Sequence, residues 1–489
     1  MRSLACLRIA LGLLLLLDLG VRACWLEAHY CDSGAQPRGE ILRMNWHPEY
    51  WSVFMIAGSW PLQALLFLAT GLCYLCLTVG YRTRAASLLS WLMLVSLQNR
   101  NGIIEDGGDS YFRLLLFWLA FTPWGARWSV DAARCPPSPA APKAVLGWSG
   151  LAYLWQLSLI YWAAYALKSA PEWTTTGTAL QQALAVDQIT SPVAAWLRPY
   201  PQAMKFLTFA VLYFEGCVPF LFWINGWTRT LAVLGLTLMH LGFGTFMHLG
   251  VFAPVASIAS WGLIPGRFWE ALARGRAFPR TWRWPLPGGE NPAPRPERWP
   301  IRALQFYLLL RITQMNLVVF QGSQFPPHPQ DLRFLRLDQR WNMFAPRPLV
   351  DDGYCVAVGE TRSGEWVNLW LQGGALEWEK PARLASQYPD ARWRKLMMNL
   401  QLPQGEGWRA PLLAYLCRRW QRAHPQSPLR SARLYAFRES TQVDGREAPP
   451  FLLFMAYRGV DSLTAGSEFR AYPNLESGFE VLRLSRGSD

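Results

Sequence analysis

Lysine is almost missing from this sequence: five residues, at positions 143, 168, 205, 380 and 395, stand against 42 Arg. Charge of either sign is also sparse. Charged types make up 16% of the chain, where a soluble globular chain carries about a quarter, which excludes an ordinary soluble protein. The nine Cys include one C-x-x-C, at Cys73 and Cys76, and no second to pair with it, so the common zinc sites are excluded and no metal is expected. No internal repeat and no pair of Gly- or Pro-broken apolar segments is visible, which speaks against a transporter. A net charge of +14 would suit nucleic acid. The basic residues, however, sit mainly in short loops between apolar runs, so they report membrane topology and no nucleic-acid partner is expected.

What is abundant points the same way. Apolar types reach 52% of 489 residues, and the 27 Trp suit side chains at membrane–water boundaries. Apolar runs fall at 4–23, 54–80, 85–98, 111–124, 145–167, 204–225, 229–249, 250–264 and 303–320. A span needs roughly 20 residues, so 85–98, 111–124 and 250–264 are short. Asp18 and Arg22, with no small-residue cleavage pattern before Cys24, mark the first run as a retained helix rather than a signal peptide. With the amino terminus in the cytoplasm, cytoplasmic loops hold sixteen Lys and Arg and the opposite loops six. An odd number of spans then places everything after residue 320 outside.

The fold expected is a multi-pass α-helical cell-membrane protein of about nine transmembrane helices, with a C-terminal extracytoplasmic α+β, mostly β, soluble domain. Residues 1–324 form the helical part, with an Arg/Pro-rich cytoplasmic linker near 266–302, and residues 325–489 the soluble part. In the latter, Trp366–Leu371 and Phe451–Tyr457 read as strands, Arg362–Glu365 as a hairpin turn and Pro411–Gln421 as a helix. Cys24, Cys31, Cys355 and Cys417 would face an oxidising compartment, where disulfides can form in a pairing the sequence leaves open. Cys73 and Cys76 read as packing residues inside the bundle.

Ionisable groups within spans are costly and either functional or paired. Asp18, Glu215, His240 and Arg311 are of this kind, with Arg113 near an end, and pairing inside the bundle is the plainer reading of each. Lys168 differs, because a chain that elsewhere chooses Arg keeps a side chain able to release its proton when buried. It ends the apolar helix Ile160–Lys168, a partly desolvated position suited to a base. The plainer reading is a snorkelling side chain at the interface. On the same face lie Gln98–Asn101, Gly107–Ser110, His29, Tyr30, Glu40 and His248, with His240 about two turns deeper.

Four segments then become recognisable together. Arg82-Thr83-Arg84, Asn99-Arg100-Asn101, Gly107-Gly108-Asp109 and Arg127-Trp128-Ser129-Val130-Asp131 resemble bacterial proteins with the horizontally transferred transmembrane domain. That domain is related to vitamin K-dependent gamma-glutamyl carboxylase. The likeness runs over residues 4–440 and is closest at Tyr161–Trp173. There Lys168 falls on the family's catalytic Lys and Trp173 on its downstream Trp. Glu215 and His240 match an acidic residue and a His of the family, and Trp341-Asn342-Met343 resembles its Trp-Asp-Met.

The resemblance implies a quinol-dependent oxygenase or epoxidase, of the carbon–carbon lyase class if glutamyl carboxylation is retained. Its cofactors would be a reduced quinone (naphthohydroquinone or similar), oxygen and carbon dioxide. Lys168 would be the base that deprotonates the quinol. Oxygen then adds, an epoxide forms, and the resulting alkoxide removes a proton from a glutamate side chain that captures carbon dioxide. Asn99, Arg100, Asn101, Asp109, Trp173, Glu215, His240 and His248 are the candidates for binding quinone or substrate. Partners would be membrane lipid or quinol and a secreted peptide or protein. Departures are visible too. Gly108 and Asp109 stand where the carboxylase has an Asn–His pair facing its quinone, and a Lys doublet is here Leu167-Lys168. No region for a recognition propeptide is apparent. The alternative is a non-catalytic maturation or export factor for secreted peptides or proteins. The quinone, the peptide partner and the oligomeric state are not legible.

The charge bias makes one prediction. A reporter fused after residue 489 is active only outside the cytoplasm, and one inserted near residue 285 only inside. The reverse pattern in a fusion assay overturns the topology.

Overall fold

The computed structural model describes residues 1–44, 46–134, 147–224, 226–274, 299–320, 329–373, 376, 378–381, 383–441 and 451–459. Each apolar run contains a helix: α1 (Arg2–Cys24), α2 (Trp60–Val79), α3 (Thr83–Arg100), α4 (Gly107–Leu119), α5 (Trp148–Leu167), α6 (Pro201–Trp223), α7 (Trp227–Phe246), α8 (Phe252–Ala259) and α9 (Trp299–Phe320). Among the described residues, α1, α2 and α6 are long and apolar enough to cross a membrane. The linker expected at 266–302 is a helix at Gly266–Arg274 and joins α9 at Trp299, while 275–298 and the boundary at 324 lie outside the described residues.

The side-chain pattern of these helices is inverted relative to a soluble protein. On α2, Leu62, Leu65, Leu68, Leu72, Leu75 and Val79 are exposed, whereas Gln63, Thr70 and Tyr74 are buried. Both stripes repeat at three- and four-residue spacing, one face of a helix each. An exposed apolar stripe over a whole helix has only hydrocarbon as a stable neighbour, which marks a membrane protein. α6 and α7 do the same, turning Phe206, Tyr213 and Phe220, and Leu231, Leu234 and Leu238, outward. Glu215 and His240 fall on their inward stripes.

Two of the recognisable segments meet at one end of the bundle. The Asp131 carboxylate accepts the backbone N–H groups of Arg82 (2.8 Å) and Thr83 (2.7 Å) and the Thr83 hydroxyl (2.7 Å), satisfying donors at the start of α3. Gly80, at φ 71, ends α2 in the left-handed region. A third segment is a contact device. A Cβ on Gly108 would come within 2.7 Å of the Phe252 backbone nitrogen, so only glycine lets α4 and α8 approach this closely.

The C-terminal domain is a four-stranded antiparallel sheet in the order β2-β1-β3-β4, with β1 Asp351–Thr361, β2 Trp366–Asn368, β3 Leu429–Ser440 and β4 Phe451–Gly459. Two helices, α10 (Ala391–Leu400) and α11 (Arg409–Ala423), accompany it. The turn at Arg362–Glu365 joins β1 to β2, with Gly364 at φ 87. The strand expected through Leu371 stops at Asn368, because the Asn368 Oδ1 accepts N–H groups from Trp370 and Leu371, both at 3.0 Å, and folds the chain into a turn. The eight described cysteines form no disulfide.

The domain is joined to the bundle by buried charge. Arg392, on α10, donates to Asp18 Oδ1 of α1 at 2.8 Å and to both carboxylate oxygens of Asp109 at the start of α4. Arg22 of α1 pairs with Asp18 at 2.7 Å and Asp109 at 2.6 Å, and donates to the Tyr30 hydroxyl. Two Arg and two Asp are thus closed on one another, each under a tenth exposed. Burial works against the Arg392 cation, but Asp109 and Asp18 outweigh it and hold its pKa well above the usual value. A second tie runs from Lys380 to Asp187 (2.8 Å), Asp352 (3.7 Å) and Glu439.

Removing one member leaves a buried charge uncompensated, at a cost of about 3–5 kcal/mol. Arg392→Ala therefore lowers the thermal unfolding midpoint of the detergent-purified protein and speeds proteolysis of the C-terminal domain. A midpoint equal to wild type denies the network this role.

Candidate functional site

Lys168 is the residue that closes α5. Its backbone leaves the helix at φ −78, ψ 62, and its side chain turns inward, 5% exposed. The ammonium therefore does not reach water, as a snorkelling Lys would. It meets the Glu215 carboxylate of α6 at 2.6 Å and lies 3.4 Å from the Ala164 carbonyl at the C-terminal end of its own helix. The end of a helix is its negative pole, so the nitrogen stands between a carboxylate and a helix terminus of negative partial charge. The Trp173 ring stands 5.2 Å from the same nitrogen, a cation–π distance. Pro219, four residues beyond Glu215, lacks the N–H that would otherwise bond the Glu215 carbonyl within the helix.

The surroundings of this pair are aromatic. The Trp173 indole donates to the Phe344 carbonyl at 2.8 Å, and the Ala170 N–H to the Pro346 carbonyl at 3.3 Å, so the segment after α9 folds over the end of α5. The Tyr161 hydroxyl lies 3.4 Å from that of Tyr111, and the Glu215 charge reaches both. Tyr161 also contacts His240, with ring centres 6.0 Å apart, while His240 Nδ1 bonds the Leu236 carbonyl at 2.8 Å. Tyr111 packs at 5.0 Å against Trp341, whose indole donates to Gln339. Lys168, Glu215 and Trp173 therefore come together, and ring contacts link His240 through Tyr161 and Tyr111 to Trp341.

Other sequence candidates lie elsewhere. Asp109 belongs to the Arg22–Arg392 network, and its remaining carboxylate contact is the Asp106 N–H at 2.8 Å. Asn99 donates to the Trp51 carbonyl, Arg100 to the Gln36 and Tyr30 carbonyls, and Asn101 to the His29 carbonyl and the Gln36 side chain. These three fasten the loop after α1 to the end of α3. His248 donates its backbone N–H to the Ile189 carbonyl at 2.6 Å, and the charge its ring feels is that of Arg394. Arg311 pairs with Asp331, and Arg113 bonds the carbonyls of Arg336 and Asp338. No group of three His, Cys, Asp or Glu among the described residues could hold a metal.

A family model, described as HTTM domain, matches residues 1–265. The chain belongs to the HTTM domain family. That domain occurs in the vitamin K-dependent carboxylase family. The matched region contains Lys168, Glu215, Trp173 and His240, and ends before α9. No curated protein and no solved structure matches the chain.

The geometry gives a stability test of the pair itself. Lys168→Met and Glu215→Leu each strand one buried charge, with a loss of about 3–5 kcal/mol, while the double substitution recovers most of it. Unfolding midpoints of the four proteins read the cycle, and simply additive losses show that the pair is not coupled.

Proposed function

We propose that this HTTM domain protein is a membrane quinol-dependent oxygenase of the gamma-carboxylase kind, with Lys168 as its base. Its topology is multi-pass, with the amino terminus cytoplasmic and the C-terminal domain extracytoplasmic. The observation that carries the reading is the buried Lys168–Glu215 pair beneath Trp173, at the position of the family's catalytic Lys. The residues around it suit a hydrophobic hydroquinone: the rings of Trp173, Tyr161 and Trp341, and an amine that can meet a hydroxyl. The quinol would supply the electrons for oxygen chemistry. The chain's own task is to move a proton. Lys168 can pass its proton to Glu215 with no change in total charge, and a drier site disfavours the neutral tautomer less than water does. The resulting amine accepts the proton of a quinol hydroxyl. Carboxylation of a glutamyl side chain on a secreted peptide would need the stronger base that oxygen chemistry on the quinol supplies.

The position of Asp109 and Gly108 favours a second reading. One is saturated by Arg22 and Arg392, and the other is filled by Phe252, where the carboxylase faces its quinone. A protein without quinol chemistry, acting as a maturation or export factor for secreted peptides, accommodates that difference.

Oxygen uptake by purified protein in lipid, supplied with a reduced naphthoquinone, separates the two. Lys168→Arg keeps the charge but cannot deprotonate. Lys168→Arg, which keeps a cation against Glu215, should fold, insert and lose uptake by roughly a hundredfold or more, the scale of general-base catalysis, and Lys168→Ala should lose uptake with a lowered unfolding midpoint as well. Full activity in Lys168→Arg removes the base assignment, and an inactive wild type with every quinol tried transfers the case to the maturation factor.

A further inference from the structure

A group of cations lies apart from Lys168, where the turn after α7 meets the start of α10. Gly250 marks the contact: a Cβ there would stand 2.9 Å from the Ala391 Cβ and 3.0 Å from Asp106 Oδ2. His248, two residues before it, is exposed, while on α10 Arg394 is 8% exposed and Lys395 half-buried. Burial lowers the His248 pKa, and the Arg394 charge lowers it further. Burial also lowers that of Lys395, with Asp106 and Asp109 opposing and Arg394 adding to the shift. The three side chains thus share one neighbourhood, with Arg394 at its centre. Neither the Arg394 nor the Lys395 side chain has a hydrogen bond or ion pair among the described residues. The carboxylates whose charge reaches them are engaged elsewhere. Asp106 accepts the Gly108 N–H at 2.7 Å, and Asp390 those of Arg392 and Trp393 at 2.8 and 3.0 Å, each as a helix cap. Asp109 is closed on Arg22 and Arg392. Of the nitrogens of Arg394 and Lys395 only Arg394 Nε is enclosed; the terminal amino groups and Lys395 Nζ open on accessible space.

Two reachable cations without a partner, in the first turns of a helix whose own pole there is positive, call for an anion from outside. Their surroundings say which. The outward stripe of α7, at Leu231, Leu234, Leu238 and Leu241, continues through the exposed Thr245 to His248, so a surface that faces hydrocarbon leads directly to the cations. The chain from residue 189 to 200 runs beside this helix end: Thr190 pairs with Met247, and the His248 N–H bonds the Ile189 carbonyl. It exposes Trp196 and Tyr200, the residue types of the headgroup layer. The cations therefore stand at the depth of lipid phosphates, and a guanidinium fork matches two phosphate oxygens. An acidic peptide would make no use of the apolar stripe below. We propose that Arg394 and Lys395, with His248 beside them, bind the phosphate of an anionic phospholipid whose acyl chains lie along α7. The proposal rests on the membrane reading alone and not on the chemistry of Lys168.

The test uses full-length protein in a non-ionic detergent, without quinol, so failure leaves the oxygenase reading untouched. The probes are phosphatidylglycerol, phosphatidylcholine, inorganic phosphate and a short oligoglutamate peptide. Two readouts serve: the rise of the unfolding midpoint with added probe, and the lipid retained in native mass spectrometry. Phosphatidylglycerol should raise the midpoint saturably and be retained, with phosphatidylcholine and inorganic phosphate weaker by roughly tenfold or more. Arg394→Gln and Lys395→Gln should each weaken phosphatidylglycerol roughly tenfold, the loss of one charge-assisted hydrogen bond. Without lipid, Arg394→Gln should unfold at or above the wild-type midpoint, because it removes a buried cation that has no partner; a purely structural Arg would lower it. Inorganic phosphate binding as tightly as the lipid overturns the lipid assignment. So does a response to phosphatidylglycerol that both variants keep, or oligoglutamate binding that depends on Arg394 and Lys395 where lipid binding does not.

Discussion

Four charges in a place without water decide how this molecule holds together. Asp18 and Arg22 sit within the first apolar helix, where an isolated charge would be intolerable, and Asp109 opens α4. Arg22 alone cannot neutralise both carboxylates. The fourth member, Arg392, comes from the C-terminal domain, so the bundle reaches electrical neutrality only when that domain is docked. The domain is therefore a structural component of the membrane part, and α10 is fixed against the starts of α4 and the loop after α1. Since α4 also carries Tyr111, the same contact sets one wall of the Lys168 site.

The Lys168 site is built on a different economy of charge. It holds one cation and one anion, with aromatic rings where the network has further ions. Such a pair has two states of equal total charge, separated by the position of one proton. The network has no such freedom, because an Arg does not give up its proton in a protein. Arg thus holds the larger buried network, while Lys serves both in the tie at Lys380 and in the pair at Lys168.

Local pattern decided which of these residues was legible in the sequence and which was not. Lys168 stood out through scarcity, its place at an apolar helix end and the family resemblance, and Glu215 and His240 as ionisable groups within apolar runs. Helix positions were legible because an apolar run encodes itself locally. Arg392 gave no signal, since its partners lie 283 and 374 residues away and nothing near it marks the pairing. Asn99, Arg100 and Asn101 drew notice as polar groups at one depth, but depth does not reveal that backbone carbonyls wait beside them. β1 was missed for a physical reason as well. Tyr354, Val356 and Val358 pack on one face and Cys355 and Ala357 on the other, so burial on both sides erases the period of two. Tyr111 was hidden in the same way, as one aromatic among many.

The wide separation of Arg392 from its partners has a consequence in time. During synthesis α1 and α4 are made long before residue 392, and until then two carboxylates share a single guanidinium inside the bundle. The half-made protein is therefore electrically unfinished, with one carboxylate still lacking its guanidinium. Neutrality arrives last, with the docking of α10. A chain interrupted before that point would keep an unmatched carboxylate in its membrane part, a feature by which a cell could tell an incomplete molecule from a finished one.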